Sequence, residues 1–221
     1  PVPYRASYLG LDENGRGNYR LWLDGEEMEV SCALSGAYAA ENILAAAAAA
    51  RLYGLSCEEI RRGVESAVFP AQRFARHEIA GWTVIDDTYN ANPLSACRMI
   101  EAAAELAGDR DFVCVMGAMG ELGDISAAEH RRLGRTLAAS DCRAVFWTGE
   151  HADDVRQGLE EAHFSGLFAV IAAPEDFLPA LERWEKNRRD DRKALVLFKG
   201  SRVNRMERFV NLFMERKNHA L

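Results

Sequence analysis

The chain has 221 residues, of which 48% are hydrophobic, and this length is sufficient to bury the cores of two ordinary domains. Its formal net charge is -7 at pH 7, and its pI is near 5.4. The acidic balance argues against general affinity for nucleic acid, because binding a phosphate backbone requires concentrated positive charge.

Three features of the sequence indicate where in the cell the protein is located. Five cysteines occur without a C-x-x-C pair, a pattern typical of reduced, buried thiols rather than of a zinc site or a disulfide framework. The apolar run Ile43–Ala50 is too short to span a bilayer, and no signal-peptide pattern opens the sequence. We therefore expect a cytoplasmic protein. The sequence starts at Pro1 without an initiator methionine, and we expect it to be a piece of a longer chain.

The first thirty residues predict an antiparallel β segment. Residues alternate in polarity over three short segments, Tyr8–Leu11, Tyr19–Leu23 and Glu27–Val30. The dipeptides Asn14-Gly15 and Asp24-Gly25 lie between these segments, and such dipeptides are strong signals for hairpin turns.

Two helices are predicted next. An alanine-rich helix occupies about Ala39–Tyr53, and Gly54 ends it. Ser56 begins the second helix, with Glu59 at the spacing of a capping box. Asn42 is a polar residue near the start of the first, apolar helix. A solvent-facing side chain is the simpler interpretation of Asn42, and an amide that contacts an adenine edge is the alternative.

The turn after the fourth predicted strand is unusually polar. Trp82–Ile85 is typical of a short buried strand, and Asp86 and Asp87 follow at its carboxyl end, where ligands bind in open α/β sheets. Pro93 suits the first residue of a helix and favours an extended Asn92, which we expect to cap that helix. Two acids and two asparagines in one turn favour binding of a polar ligand over capping alone.

The segment Val68–Glu78 is predicted as a loop that leads into this strand. Arg73 in this loop is either an exposed charge or a phosphate contact, and the sequence favours neither. A helix over Leu94–Leu106 follows the polar turn, and residues 107–111 have the composition of a linker.

The second domain is predicted as four strand–helix repeats, a pattern typical of a parallel sheet with right-handed crossovers. Its strands are near-continuous apolar runs: Phe112–Met116, Ala144–Trp147, Leu167–Ile171 and Ala194–Phe198. Ser126 and Glu129 have the spacing of a capping box at the start of one helix. Asp176 is expected to cap another helix, with Pro179 in its first turn.

Lys199, Ser201 and Arg202 follow the last predicted strand. Two cations, a hydroxyl and the N–H groups of a helix start favour an anion site there over ordinary surface charges. The glycine-rich segment Gly117–Gly123 lacks the G-x-G-x-x-G spacing that opens directly into a helix, so a flexible substrate loop is the better interpretation. His130 is more typical of a packed or capping histidine than of a catalyst.

No complete catalytic apparatus is recognisable in the sequence. It contains no Gly-Lys dipeptide and therefore no P-loop, and it has no nucleophile elbow or metal-ligand histidine pair. We accordingly assign no catalytic residue and no metal ligand to this chain.

Three segments, in order, resemble motifs of the Mur ligases that add D-alanyl-D-alanine to the peptidoglycan precursor. Asp86–Pro93 resembles the D-D-S-Y-N-A-N-P signature of these enzymes. Met116–Gly123, together with His130, is similar to their G-D-M-x-E-L-G...H segment. Leu197–Arg202, followed by Met206–Glu207, is similar to their L-V-K-G-S-R...M-E motif.

The resemblance implies an α/β protein with parts of two family domains. Residues 1–107 would be the latter part of the central ATP-binding domain, built of β-hairpins and helices. Residues 108–221 would be the Rossmann-like C-terminal domain with a parallel sheet. The P-loop and most Mg²⁺ ligands would lie in an upstream half, so this chain alone is expected to be inactive.

The resemblance also implies the reaction and its partners. ATP and Mg²⁺ would drive formation of an amide between UDP-N-acetylmuramoyl tripeptide and D-alanyl-D-alanine by way of an acyl phosphate. The implied enzyme is a cytoplasmic monomer of cell-wall precursor synthesis, without nucleic-acid or membrane partners. A related ligase with another substrate and a non-catalytic nucleotide-binding module are the alternatives.

Carried over to this sequence, the family's binding residues form two sets. The nucleotide-binding set comprises Asn42 for the adenine, Asp87 for the ribose, and Arg73, Tyr89 and Asn92. The substrate-binding set comprises Asn90, Lys199, Ser201 and Arg202.

The sequence departs from the family pattern in three places. Gly36–Ala39 stands where the family has G-x-H-N, Gln72-Arg73 where it has G-R, and Gly117–Met119 where it has G-D-M. These departures bear on the details of nucleotide and substrate contact.

Overall fold

The computed structural model describes residues 3–187 and 193–219. The chain forms two compact units, Pro1–Phe69 and Pro70–Leu221. Pro1, at which the sequence starts, lies outside the described residues. Within the described ranges, no helix is both long enough and apolar enough to cross a membrane.

The first unit combines a three-stranded antiparallel sheet with two helices. Its elements are β1 (Tyr4–Leu11), β2 (Gly17–Leu23), β3 (Glu26–Cys32), α1 (Tyr38–Leu52) and α2 (Cys57–Glu65). The strand order β1-β2-β3 confirms the predicted hairpins. Alternate residues of β2, namely Tyr19, Leu21 and Leu23, are fully buried and share one core with α1. The capping box of Ser56 and Glu59 is confirmed at the start of α2.

The described part of the second unit contains a six-stranded sheet and five α-helices. The strands are β4 (Ala75–Ile79), β5 (Trp82–Asp87), β6 (Asp111–Gly117), β7 (Ala144–Thr148), β8 (Leu167–Val170) and β9 (Ala194–Lys199). The helices are α3 (Pro93–Ala107), α4 (Ser126–Ala139), α5 (Ala152–Glu161), α6 (Pro174–Lys186) and α7 (Glu207–Asn218). The strand order is β4-β5-β9-β6-β7-β8, and all neighbours are parallel except β4 and β5. The predicted α/β fold with a parallel sheet is confirmed.

The compact units divide between Phe69 and Pro70, and the family-domain boundary expected at 107/108 stays a prediction. Strand β5, which precedes that expected boundary, hydrogen-bonds along its whole length to β9. The predicted loop before β5 also contains a strand, β4. Because Arg76, His77 and Glu78 in β4 are polar and exposed, the sequence there lacks the apolar alternation that would predict a strand.

The junction from β5 to α3 forms as predicted. Asn92 is extended, with φ -126° and ψ 166°, and its side-chain oxygen accepts the Ser95 N–H at 2.8 Å. Pro93 is the first residue of α3, where its missing N–H costs no hydrogen bond. The cap therefore fixes where the polar turn ends.

Two other predicted helix starts differ from the structure. Ser126 is the first residue of α4 rather than its cap, and a 3-10 turn, Gly123–Ile125, precedes it without a side-chain cap. Helix α6 begins at Pro174, so Asp176 lies in its first turn and accepts the N–H of the residue before the helix at 3.0 Å. Pro179 consequently lies inside α6, beyond its first turn.

Glycines allow α4 and α5 to pack backbone against backbone. A Cβ atom added to Gly134 would overlap the carbonyl oxygen of Val155, and one added to Gly158 would overlap the carbonyl oxygen of Arg131. Only residues without a side chain permit this approach. The contact fixes α4, which carries His130, against α5.

We expect Gly158→Ala to lower the free energy of unfolding by about 1 to 3 kcal/mol, because the added methyl group overpacks this contact. Gly63→Ala in α2 is the matched control, since a Cβ atom there would meet nothing within 4 Å. Alanine in a helix interior is favoured over glycine by roughly 0.5 to 1 kcal/mol, so the control substitution should stabilise. Urea unfolding measures both changes, and effects of the same sign would contradict the close packing.

Candidate functional site

Polar residues gather where β5 and β9 end. These strands are parallel neighbours, and Asp87 is opposite Lys199. Residues at the same level of neighbouring strands project to the same face of a sheet, so the two side chains meet. Lys199 Nζ lies 2.5 Å from Asp87 Oδ2 and donates a second hydrogen bond of 2.9 Å to the carbonyl oxygen of Asn90. Two of the three motif segments are therefore joined by one ammonium group.

Lys199 is a buried charge with dedicated partners. The residue is 1% exposed, and the Asp87 side chain is 14% exposed. Burying an ammonium group is costly unless it is paired, which accounts for this contact. The sequence predicts that Lys199 and Arg202 converge on one anion. They do not, because Lys199 turns to Asp87 while the exposed Arg202 lies with its Nη1 3.3 Å from Gln72 Oε1.

The second carboxylate oxygen of Asp87 holds the loop before β4. Asp87 Oδ1 accepts the Phe74 N–H at 3.1 Å. Gln72 and Phe74 have φ angles of 65° and 55°, in a region that residues other than glycine rarely adopt and that clusters at functional sites. This loop holds the exposed Arg73 guanidinium 4.1 Å from the centre of the Tyr89 ring. Three predicted nucleotide contacts, Asp87, Arg73 and Tyr89, are thus brought to one loop system.

Asp86 shapes the turn from within. The hydroxyl and N–H groups of Thr88 donate to Asp86 Oδ1 at 2.6 and 3.2 Å. Burial raises the pKa of the Asp86 carboxyl above its ordinary value, and the hydrogen bonds from Thr88 oppose that rise. Asp86 therefore acts in the structure of the turn.

The three predicted asparagines have different surroundings. Asn92 caps α3, and the Asn90 side-chain oxygen accepts the Ala91 N–H at 2.9 Å. Asn42 is an exposed residue of α1, in the other compact unit, where it lines an apolar cavity of about 280 Å³. Their contacts with nucleotide or substrate stay predictions.

Ser201 and a 3-10 turn, Arg202–Asn204, follow β9. The helix that begins directly after β9 is therefore a single 3-10 turn, and the closing α-helix, α7, begins only at Glu207. Ser201 is buried, and its N–H donates to the carbonyl oxygen of Ala118 at 3.2 Å. Asn204 Nδ2 donates to the same carbonyl oxygen at 2.6 Å and to Ser201 Oγ at 2.8 Å. The turns that follow β6 and β9 are therefore bonded together through Asn204, a residue that no motif singled out.

His130 fastens the turn after β6. The residue is fully buried, its Nε2 accepts the Met119 N–H at 3.0 Å, and its Nδ1 lies 2.8 Å from the carbonyl oxygen of Ser126. These partners fit a neutral ring with its proton on Nδ1. Burial lowers the pKa of His130 below its ordinary value, although the Ser126 carbonyl favours the charged form. The prediction of a packed histidine is confirmed.

A second histidine, which sequence reasoning missed, supports the first. The His151 ring stacks on the His130 ring with centres 4.4 Å apart. His151 Nε2 lies 2.8 Å from Ser126 Oγ, and its Nδ1 lies 2.8 Å from Asp154 Oδ2. No pattern in the sequence marks His151, because its role depends on the packing of α4 against α5.

A protein-family model described as "Mur ligase, glutamate ligase domain" matches residues 72–202, more than half of the chain and the whole range that contains this sheet edge. The chain belongs to the Mur ligase family. It is 34% identical to the UDP-N-acetylmuramoyl-tripeptide–D-alanyl-D-alanine ligase of Treponema pallidum, over 94% of this chain and 43% of that protein.

Two solved Mur ligase structures have a similar fold. One crystal structure of MurF from Acinetobacter baumannii has a TM-score of 0.81 and 31% identity, over 96% of this chain and 45% of that one. MurF from Thermotoga maritima in complex with ADP has a TM-score of 0.80 over 98% of this chain and 48% of that one, and at 23% identity it shows the fold alone. The chain spans less than half the length of these relatives.

The described residues fit one side of the nucleotide that a Mur ligase uses. The exposed Arg73–Tyr89 pair offers a cation and an aromatic face. The Asp87 carboxylate retains lone pairs that can accept hydrogen bonds from hydroxyl groups. Within residues 3–187 and 193–219, no group of three or more His, Cys, Asp or Glu residues could hold a metal ion. The sequence also lacks the Gly-Lys dipeptide of a P-loop.

The His130 contact predicts a pH dependence of stability. The folded chain binds a proton at His130 less readily than the unfolded chain, whose histidine pKa is near the ordinary 6.5. The free energy of unfolding should therefore be largest above pH 6.5 and decrease as the pH falls below it, towards the lower pKa of the folded state.

Urea unfolding at a series of pH values tests this dependence. His130→Gln should flatten the slope below pH 6.5, whereas His163→Gln, at an exposed position, should leave it unchanged. An unaltered slope in the His130→Gln protein would contradict the neutral, buried state of this ring.

We expect Asp87→Ala to lower the free energy of unfolding by about 3 to 5 kcal/mol, because it leaves the Lys199 ammonium buried without its carboxylate. Adding Lys199→Met should restore much of that loss, since the uncompensated charge is then removed. Glu182→Ala, which breaks an exposed ion pair with Arg216, is the control and should cost roughly 0 to 1 kcal/mol. Additive losses in the double variant would refute the buried pair.

Proposed function

We propose that this chain is part of an ATP-dependent ligase that joins D-alanyl-D-alanine to UDP-N-acetylmuramoyl tripeptide in cytoplasmic peptidoglycan-precursor synthesis. The relative from Treponema pallidum bears the name of that activity. The observation that carries the proposal is the bond between Asp87 and Lys199, because it joins two segments that resemble ligase motifs at one edge of the sheet.

The proposed reaction has two steps. The terminal phosphoryl group of ATP passes to the free carboxylate of the tripeptide, and ADP leaves. The amine of D-alanyl-D-alanine then attacks the acyl carbon, phosphate departs, and the amine loses a proton. Such chemistry depends on positioning and on stabilising charge, and these are tasks for side chains at a preformed edge.

We assign the nucleotide to the Asp87 side of this edge. The Asp87 carboxylate, which Lys199 and the Phe74 N–H hold in place, accepts hydrogen bonds from the ribose hydroxyls. Arg73 and Tyr89 contact the nucleotide beside it. Asn42 and Asn92 are assigned to the same ligand by the family resemblance, Asn42 at the adenine.

We assign the substrates to the β9 side. Ser201 and Arg202 bind an anionic group, and Asn90 is assigned to the substrates by the family resemblance. Lys199 acts on substrate binding indirectly, because its ammonium group already binds Asp87 and the Asn90 carbonyl oxygen. Its contribution is to hold the two binding segments in register.

We assign the P-loop and most Mg²⁺ ligands to residues outside this chain, and we assign a monomeric state to the working enzyme. The chain alone therefore should not turn over ATP. The missing Gly-Lys dipeptide also favours a second candidate, a nucleotide-binding module without catalysis, for the isolated chain. A related Mur ligase with a different substrate is the remaining alternative.

Phosphate release tests the proposal. The test uses the longest protein encoded by the gene that contains this sequence. With ATP, Mg²⁺, UDP-N-acetylmuramoyl tripeptide and D-alanyl-D-alanine, this protein should release phosphate at ~1 to 1000 per second. The 221-residue chain should not. Release that does not depend on the dipeptide would contradict the assigned substrate, and turnover by the 221-residue chain would contradict the division of roles.

A substitution separates the nucleotide site from general damage. In the longest protein encoded by the gene, Arg73→Ala removes an exposed guanidinium. It should raise the KM for ATP about 10- to 100-fold, the range expected when a charge-assisted hydrogen bond is lost. Arg132→Ala, on the exposed face of α4, is the matched control and should leave the KM unchanged. Equal KM values for wild type and Arg73→Ala would rule out the nucleotide contact.

A further inference from the structure

The side chain of Asn204 lies where three strands end. A Cβ atom added to Gly117, the last residue of β6, would lie 2.9 Å from the Cβ and Cγ atoms of Asn204. A Cβ atom added to Gly149, which follows β7, would lie 2.7 Å from Asn204 Oδ1. Glycine at these two positions leaves the space that the carboxamide of Asn204 fills.

The orientation of this carboxamide is determined by its neighbours. Asn204 Nδ2 is 2.6 Å from the carbonyl oxygen of Ala118 and 2.8 Å from Ser201 Oγ. A carbonyl oxygen can only accept a hydrogen bond, so the nitrogen of the amide must face Ala118. Its two hydrogens serve these two near partners and the more distant carbonyl oxygen of Ser201 at 3.4 Å, and Ser201 Oγ is an acceptor of the amide.

The hydroxyl hydrogen of Ser201 is not used in these hydrogen bonds. Ser201 is 4% exposed, and no acceptor for this hydrogen is found among the described residues. A buried donor without an acceptor costs free energy, and such groups in native proteins call for an explanation. A Cβ atom added to Gly120 would lie 3.6 Å from Ser201 Oγ, so glycine keeps the space beside the hydroxyl open.

We propose that Asn204 is a positioning residue that orients the Ser201 hydroxyl as a hydrogen-bond donor to an anionic oxygen of a ligand. Arg202, the next residue in the chain, adds an exposed positive charge to the same turn. The inference rests on the proposed function for the identity of that anion. A carboxylate of D-alanyl-D-alanine and a phosphate group present the same chemistry to the hydroxyl.

Titrations of the 221-residue chain followed by ¹⁵N NMR test the proposal, with D-alanyl-D-alanine and inorganic phosphate as separate probes. At least one probe should shift the amide signals of Ser201 and Gly120 in the wild type. Asn204→Asp has the same shape but supplies an acceptor in place of the amide hydrogens, so the hydroxyl hydrogen of Ser201 should turn towards the carboxylate, and the carbonyl oxygen of Ala118 loses the Asn204 donor. Binding of that probe should weaken about 10- to 100-fold, the range for a lost hydrogen bond to a charged group.

The controls separate positioning from loss of fold. Asn211→Ala, on the exposed side of α7, should bind like the wild type. If Asn204→Asp does not fold, Asn204→Ala, Ser201→Ala and the double variant replace it. In that cycle Asn204→Ala should add no further loss once Ser201 is alanine, because it acts through the hydroxyl.

Each outcome decides a different statement. Phosphate binding without dipeptide binding, lost in Asn204→Asp, supports the role of Asn204 and counts against the dipeptide as the ligand here. Dipeptide binding, lost in the same variant, supports both. The role of Asn204 is overturned if neither probe binds the wild type, or if Asn204→Asp weakens the binding of neither probe.

Discussion

One buried ion pair organises the candidate site. The ammonium of Lys199 cannot be buried without a partner, and Asp87 opposite it on β5 meets that need. The pairing fixes one oxygen of Asp87 and leaves the other to hold the Phe74 N–H, which sets the loop that carries Arg73. The ion pair between β9 and β5 thereby helps to position the exposed guanidinium of Arg73 over the Tyr89 ring.

The rest of the edge is built by small residues and amides rather than by charge. Glycines at the ends of strands let the turns after β6, β7 and β9 approach one another, and Asn204 bonds two of them. His130 holds the turn after β6 through the Met119 N–H. Backbone groups at this edge therefore have fixed partners, while the Arg202 side chain is exposed. Such an arrangement suits a site that binds by preformed geometry.

Local signals in the sequence predicted the features that depend on neighbouring residues, and failed where distant ones decide. Asn92 with its following proline, and the hairpin turns, formed as expected because their physics is local. The charged strand β4 was missed, since it carries no apolar alternation. The partnership of Lys199 with Asp87 and the amide of Asn204 depend on which strands become neighbours, and a single sequence does not encode that order in any short pattern.

The position of β9 has a consequence for how the chain is made. It is the last strand in the sequence, yet it lies between β5 and β6, and the contact of Lys199 with Asp87 spans 112 residues. During synthesis from the N-terminus, β5 and β6 present unpaired edges until β9 has left the ribosome. Closure of the sheet is therefore a late, non-local event, which tends to slow folding and to expose strands to association with other chains. The contact between Lys199 and Asp87 cannot form before β9 joins the sheet.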